Sequence, residues 1–196
     1  MRRQRSAPLR DDVAPSGAHG LLLSALARTG AEASDAKLTA AAKEVAAYIR
    51  EKLINRDGAL LARQGRSTLA APRDYALVID GLLTHHAHGG DASNQQIAQK
   101  LLTQLKSLYA DDTSGRFFVT DADLEPGLVT RVLAGPPEGR DLPGAKEAIL
   151  LALAKHDLGD AAWREAIAAQ IATDINESPN QPRGDQVLAL QQVVQE

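Results

Sequence analysis

Apolar positions along this chain fall into three blocks of one design. The leucine-rich runs Leu21 to Ala27, Leu77 to Leu83 and Ile149 to Ala154 each lead into a glycine-bearing turn. The turns read Gly30-Ala31-Glu32-Ala33-Ser34, Gly90-Asp91-Ala92-Ser93 and Gly159-Asp160-Ala161-Ala162, and after each comes a segment with an apolar stripe on one side. A repeat of helix, glycine turn and amphipathic helix predicts an array of helical hairpins.

The first hairpin is expected to pair a helix from about Gly20 to Arg28 with one from about Asp35 to Ile54. In the latter, Leu38, Ala41, Ala42, Val45, Ala46, Ile49 and Leu53 keep the three-and-four spacing of one helical face. Asn55-Arg56-Asp57-Gly58 signals a turn, and Ala59 to Ala62, bounded by Gly58 and Gly65, reads as a short strand or extended loop. Pro72 suits the first turn of the next helix, whose partner carries Ile97, Leu101, Leu105 and Leu108 on one face. Arg116 to Thr120 favours a strand with Leu128 to Val132 as its mate, and Gly135-Pro136-Pro137-Glu138-Gly139 must be a loop. The third hairpin runs from Pro143 to His156 and, with Asp160 as N-cap, to about Ile175, with Trp163, Ile167 and Ile171 on its face. A further helix spans Asp185 to Val194. First helices are apolar almost all round and second helices amphipathic, so the first helices form the covered inner layer.

Composition narrows the function. A formal net charge of −3 provides no basic stripe for phosphate backbones, which excludes nucleic acid as a partner. Aromatic residues make up 3% of the chain, leaving few stacking platforms for bases or sugars. With no cysteine, thiol catalysis, disulfides and thiolate zinc sites are excluded. No apolar run reaches the ~20 residues of a membrane span. The basic start Met1-Arg2-Arg3-Gln4-Arg5 precedes Asp11 and Asp12 and only a short apolar run, which argues against a secretory leader. Residues 1–16 are therefore expected to be a flexible basic segment and 17–196 a single helical domain in a cytoplasmic protein.

The segments GLLLSALARTG, DGALLARQGRS, PRDYALVIDGLL, DDTSGRFFVT, LVTR and PGAKEAILLALAKHDLGD occur in an order that resembles a thioredoxin-domain family. That family is known as spermatogenesis-associated protein 20 or domain of unknown function 255. The likeness covers nearly the whole chain. It implies a mainly α fold, a partial (α/α) toroid of about three hairpins plus a C-terminal helix, with short β-hairpins in the connecting loops. The chain is similar to the C-terminal half of a ring shared with acylglucosamine 2-epimerases and six-hairpin glycosidases. Three hairpins from a ring of six cannot close, so the inner helices are expected to expose an apolar flank. The resemblance implies partners for that flank: a second copy of this chain, or the missing toroid half or thioredoxin domain, in cis or in trans.

In such a ring the inner helices open at one mouth, and the candidate residues lie there. His19, where the family shows a tryptophan-bearing segment, is either a general acid or base or a surface or capping residue. Asp74 and Tyr75 match the family's Asp-Tyr pair. Asp74 either caps amide groups or binds a sugar hydroxyl, and Tyr75 either contacts ligand or packs beside it. Asp80, nearly two turns on, bonds either a neighbouring hairpin's loop or a ligand. Arg131 matches the family's arginine and either neutralises a carboxylate or phosphate or pairs with Asp141 or Glu138. Asp141 is also a candidate ligand-binding residue, and with Glu138 imitates an acid/base pair on one loop. His85-His86-Ala87-His88 looks like a metal cluster, but adjacent helical residues point apart and no carboxylate stands at ligand spacing. No cofactor and no metal are expected. The reading these features favour is a diverged, non-catalytic interaction or structural module. The rival is a sugar-active enzyme, an epimerase, isomerase or glycosidase, acting on a small sugar at the mouth.

Overall fold

The computed structural model describes residues 14–111, 114, 116–119, 144–158, 161–177 and 184–194. Among them are seven α-helices: α1 (Ser16–Glu32), α2 (Ala36–Tyr48), α3 (Pro72–Ala87), α4 (Ser93–Tyr109), α5 (Ala145–Lys155), α6 (Ala161–Glu177) and α7 (Gly184–Val194). The protein is mainly helical. Helices α1, α3 and α5 lie side by side with α3 in the middle, while α2, α4 and α6 each pack on the helix that precedes them. Helix α7 packs on both α5 and α6. No described helix is long and apolar enough to cross a membrane.

The three first helices end alike. After α1, the Ser34 and Asp35 amides donate to the carbonyls of Ala31 and Gly30; after α3, Gly89 and Gly90 donate to His86 and His85; after α5, Asp157 and Leu158 donate to Ala154 and Leu153. This is the Schellman closure, with one residue in the left-handed region. Only α3 places a glycine there, Gly89 at φ +85°; Ser34 (φ 53°) and Asp157 (φ 47°) fill it in the other two. The expected turn at Gly30 is therefore displaced, and α1 runs on through Glu32. Gly30 is small for another reason: a Cβ there would stand 3.0 Å from the Thr39 amide nitrogen at the start of α2. Asp35 caps α2, its Oδ1 accepting from Lys37 N at 2.8 Å and Leu38 N at 3.2 Å.

Burial separates the inner helices. In α3 Tyr75 to Ile79 and Gly81 to His85 are all buried, and in α5 so are Glu147 to Leu150 and Ala152 to Ala154. Helix α1 departs from that pattern. Gly17, Gly20, Leu23 and Ala27 are buried, yet Ala18, Leu21, Leu22 and Ala25 are exposed, Leu22 by 47%. Its buried side meets α3 backbone to backbone. A Cβ on Gly20 would lie 2.3 Å from the Leu77 carbonyl oxygen, and one on Gly81 would lie 2.5 Å from the Gly20 carbonyl oxygen.

Outer helices bury the expected faces: Leu101 and Leu105 in α4, and Trp163, Ile167 and Ile171 in α6. The uninterrupted helix expected to Ile54 instead widens after Tyr48 into a π-helical turn, Ile49–Leu53, which buries both Ile49 and Leu53. The expected β-hairpins are reduced to isolated antiparallel bridges among the described residues: Ile54 with Leu60, Leu61 with Leu69, and Ala110 with Phe117. Phe117 pairs back on the end of α4; the proposed mate at 128–132 lies outside the described residues. Ser16, assigned to the N-terminal segment, begins α1 and is fully buried, its amide bonded to Ala62 O at 2.9 Å.

Gly81→Ala should lower stability by about 2 kcal/mol, because overpacking against a rigid backbone outweighs the helix propensity that alanine adds. Urea unfolding of the variant checks this; a rise in the midpoint would contradict it.

Candidate functional site

The start of α3 is shaped by its neighbours. Pro72 fixes its first turn, and Asp74, in that turn, lies against α1: a Cβ on Gly17 would come within 2.3 Å of Asp74 Oδ1. Burial pushes the Asp74 carboxyl above its ordinary value, against the opposing pull of the Arg73 charge and a backbone hydrogen bond with Ala71. His19 lies on another side of α1. It stands two positions after Gly17, a turn of about 200° around the helix axis. Its Nδ1 donates to the Pro15 carbonyl at 3.0 Å and its ring stacks on Tyr48 at 4.9 Å. Asp74 and His19 therefore do not face one another.

Tyr75 is fully buried. Its hydroxyl accepts from the Leu60 amide at 3.0 Å, and its ring meets Tyr109 edge-on at 6.0 Å. The Tyr109 hydroxyl in turn donates to Ala70 O at 2.9 Å. The two tyrosines pin both ends of the 60–70 loop to the helices. That contact explains tyrosine at position 75 without a ligand.

Asp80 reaches the neighbouring hairpin. Its Oδ1 accepts from Lys155 Nζ at 2.5 Å and from His156 Nε2 at 3.0 Å, both at the C-terminal end of α5. Lys155 also donates to Thr84 Oγ1 at 2.7 Å, and Ser24 on α1 donates to the same oxygen at 3.3 Å. Burial by itself would raise the Asp80 carboxyl, but hydrogen bonds from His156 and Lys155, the Lys155 charge and Ser24 together lower it to about 2. The cluster joins α1, α3 and α5. Lys155, His156, Ser24 and Thr84 were not among the sequence candidates; the one available signal was the Lys-His pair closing an apolar helix opposite a lone inner-helix aspartate.

Arg131, Asp141 and Glu138 lie outside the described residues. The histidines near the end of α3 form no metal cluster: among the described residues no group of three His, Asp or Glu side chains is placed to hold a metal ion. Asp74 and Asp80 are about 9 Å apart along the axis of α3 and meet different neighbours, Gly17 in the one case and Lys155 with His156 in the other. No protein-family model matches the chain, and no curated protein matches it.

Two pH effects of opposite sign follow. The Asp80 carboxyl is lowered from 3.8 to about 2, so its stabilisation is fully present above pH 4 and is lost as pH falls toward 2. The shift corresponds to about 2 kcal/mol. Asp80→Asn should therefore destabilise by about that amount at pH 7 and progressively less below pH 4, in urea midpoints taken across pH. Asp74 behaves inversely, its ionised form being the one that burial disfavours. Asp74→Asn should raise stability at pH 7, and a loss there would show that the carboxylate is held by an interaction stronger than its burial.

Proposed function

We propose that this chain is a non-catalytic helical interaction module, similar to the C-terminal half of the toroid in thioredoxin-domain six-hairpin proteins. The observation that carries the reading is the stripe Ala18, Leu21, Leu22 and Ala25 on α1. These positions repeat every three or four residues and are exposed, on the flank α1 does not use against α3. An apolar stripe on a helix whose other side is already packed marks a surface for a partner. The occupant is a preceding helical hairpin of the same design, in cis or in trans. Alanine at both ends of the stripe allows another inner helix to approach closely, as glycine does between α1 and α3. Further support comes from the candidate residues, since Tyr75, Asp80 and His19 all serve contacts within the fold.

A photo-reactive leucine analogue at position 22, introduced into the protein in its source cells, should crosslink to a helical segment of like pattern, identified by peptide mass spectrometry. A crosslink to a second copy's α1 would assign the flank to self-association instead. A side chain quenched by water alone would overturn the reading.

The rival is a sugar-active enzyme with its site at the mouth, and one observation favours it. Burial raises Asp74 toward the range a general acid needs. The two readings part in a thermal-shift screen against monosaccharides and N-acyl sugars. A ligand at 100 times its dissociation constant adds ~2.7 kcal/mol, so no shift is expected from the module. A shift abolished by Asp74→Ala would show a sugar site at the mouth and count against the module.

A further inference from the structure

One buried histidine joins three elements of the fold. His85, in the last turn of α3, is 4% exposed, and Gly90 closes over its ring, where a Cβ would lie 2.6 Å from two imidazole carbons. The His85 Nδ1 lies 2.9 Å from Nδ2 of Asn94, which is fully buried at the start of α4. The Asn94 Oδ1 in turn accepts from Arg50 Nη1, in the π-helical turn after α2, at 2.8 Å.

Arg50 fixes the protonation of this chain. A guanidinium can only donate, so the amide atom facing it is the oxygen and the one facing His85 is the NH₂ group. An amide nitrogen also only donates, so Nδ1 must accept, and the imidazole proton sits on Nε2. The chain therefore admits one form of His85, the neutral Nε2–H tautomer. Uptake of a proton from water at Nδ1 forms an N–H bond aimed at a second donor, and the hydrogen bond from Asn94 is lost. Turning the amide over does not rescue it, because the NH₂ group would then face the guanidinium. Nε2 is already buried without a partner, so the cationic ring would carry two unmet buried donors where the neutral ring carries one.

The surroundings oppose the cation as well. Burial lowers His85, the Arg50 charge and the Lys43 charge from α2 lower it further, and His86 on α3 acts the same way. Asp91 in the α3–α4 turn acts in the opposite sense, but its carboxylate is more than half exposed and is engaged with the Ser93 amide at 2.9 Å. We propose that the chain from Arg50 through Asn94 to His85 is a proton-operated latch, which ties the α3–α4 turn to the π-helical turn while the imidazole is neutral and releases it when Nδ1 takes up a proton. The latch includes no residue of the α1 stripe, so it stands whether or not the proposed function does. Its sign is set by the form it holds. The neutral ring belongs to the closed corner, so the latch is complete above pH 6.5, the ordinary value of a free imidazole, and weakens as pH falls below it.

Nitrogen-15 NMR and amide exchange of the whole chain across pH test the latch. At alkaline pH His85 should show the Nε2–H tautomer; an Nδ1–H tautomer would overturn the argument. The Gly90 amide, bonded to the His85 carbonyl at 2.8 Å, reports the corner. Its opening constant, corrected for intrinsic exchange, should rise by up to about tenfold for each pH unit from 6.5 down to about 5, while protection in α5 and α6 holds. No rise, or an equal loss in α5 and α6, would refute a local latch. Two variants separate it from packing alone. His85→Asn sets a carbonyl oxygen near the place of Nδ1 and cannot take up the proton, so opening should lose its pH dependence whatever its level. Asn94→Asp offers Nδ1 a carboxylate in place of the NH₂ group, so His85 should then titrate above 6.5 and the corner stay closed in acid. A pH dependence unchanged in either variant would overturn the proposal.

Discussion

The closest constraint in this fold is the meeting of α1 and α3, where Gly20 and Gly81 leave no room for a Cβ on either helix. Glycine in a helix interior costs roughly 1 kcal/mol against alanine, so its presence at both positions indicates a compensating gain. The gain is proximity. With the backbones in contact, α3 can be covered on one side by α1, on another by α5 and on a third by α4, and its continuous apolar surface is removed from water. The same proximity brings Ser24 of α1 to Thr84 of α3, and through Thr84 and Asp80 to the end of α5. A polar cluster in this position is tolerable because its carboxylate, ammonium, imidazole and hydroxyl groups satisfy one another.

Once the layer is set, the remaining polar groups are drawn into two kinds of role. Some hold elements in register: Tyr75 and Tyr109 fasten the 60–70 loop, Asp35 caps α2, and Lys146 pairs with Asp174 across the third hairpin. Others are left with unused capacity, and His85 is the clearest of these. Tyr75, in particular, is consumed by the loop it anchors.

The repeat was legible because leucine and alanine alternate between all-round and one-sided patterns, and helix positions followed from it. Leu101 with Leu105, and Trp163 with Ile167 and Ile171, lie on the faces that their spacing predicts. Turn chemistry was misread in register. Gly30 was read as the start of the turn, but it serves a close helix contact, and Ser34 takes the positive φ. The π-helical turn at Ile49–Leu53 leaves no mark in a spacing of four that also suits an α-helix. Strand propensity at Phe117 is met among the described residues by one bridge, to Ala110 at the end of α4. At the site, Asp80 stood out as an aspartate on an apolar helix, but its partners lie more than seventy residues away and no local pattern points to them. The chain of hydrogen bonds from Arg50 through Asn94 to His85 could not be seen either, because it joins three different elements.

Amide hydrogen exchange across Ser16–Glu32 and Pro72–Ala87 is the most direct measurement of the contact on which the account rests. If the backbones meet at Gly20 and Gly81, the amides flanking both glycines should exchange in the slowest class, through one common opening. Exchange of the α1 amides well ahead of those in α3 would contradict it, because α1 would then open without disturbing the helix it is claimed to hold.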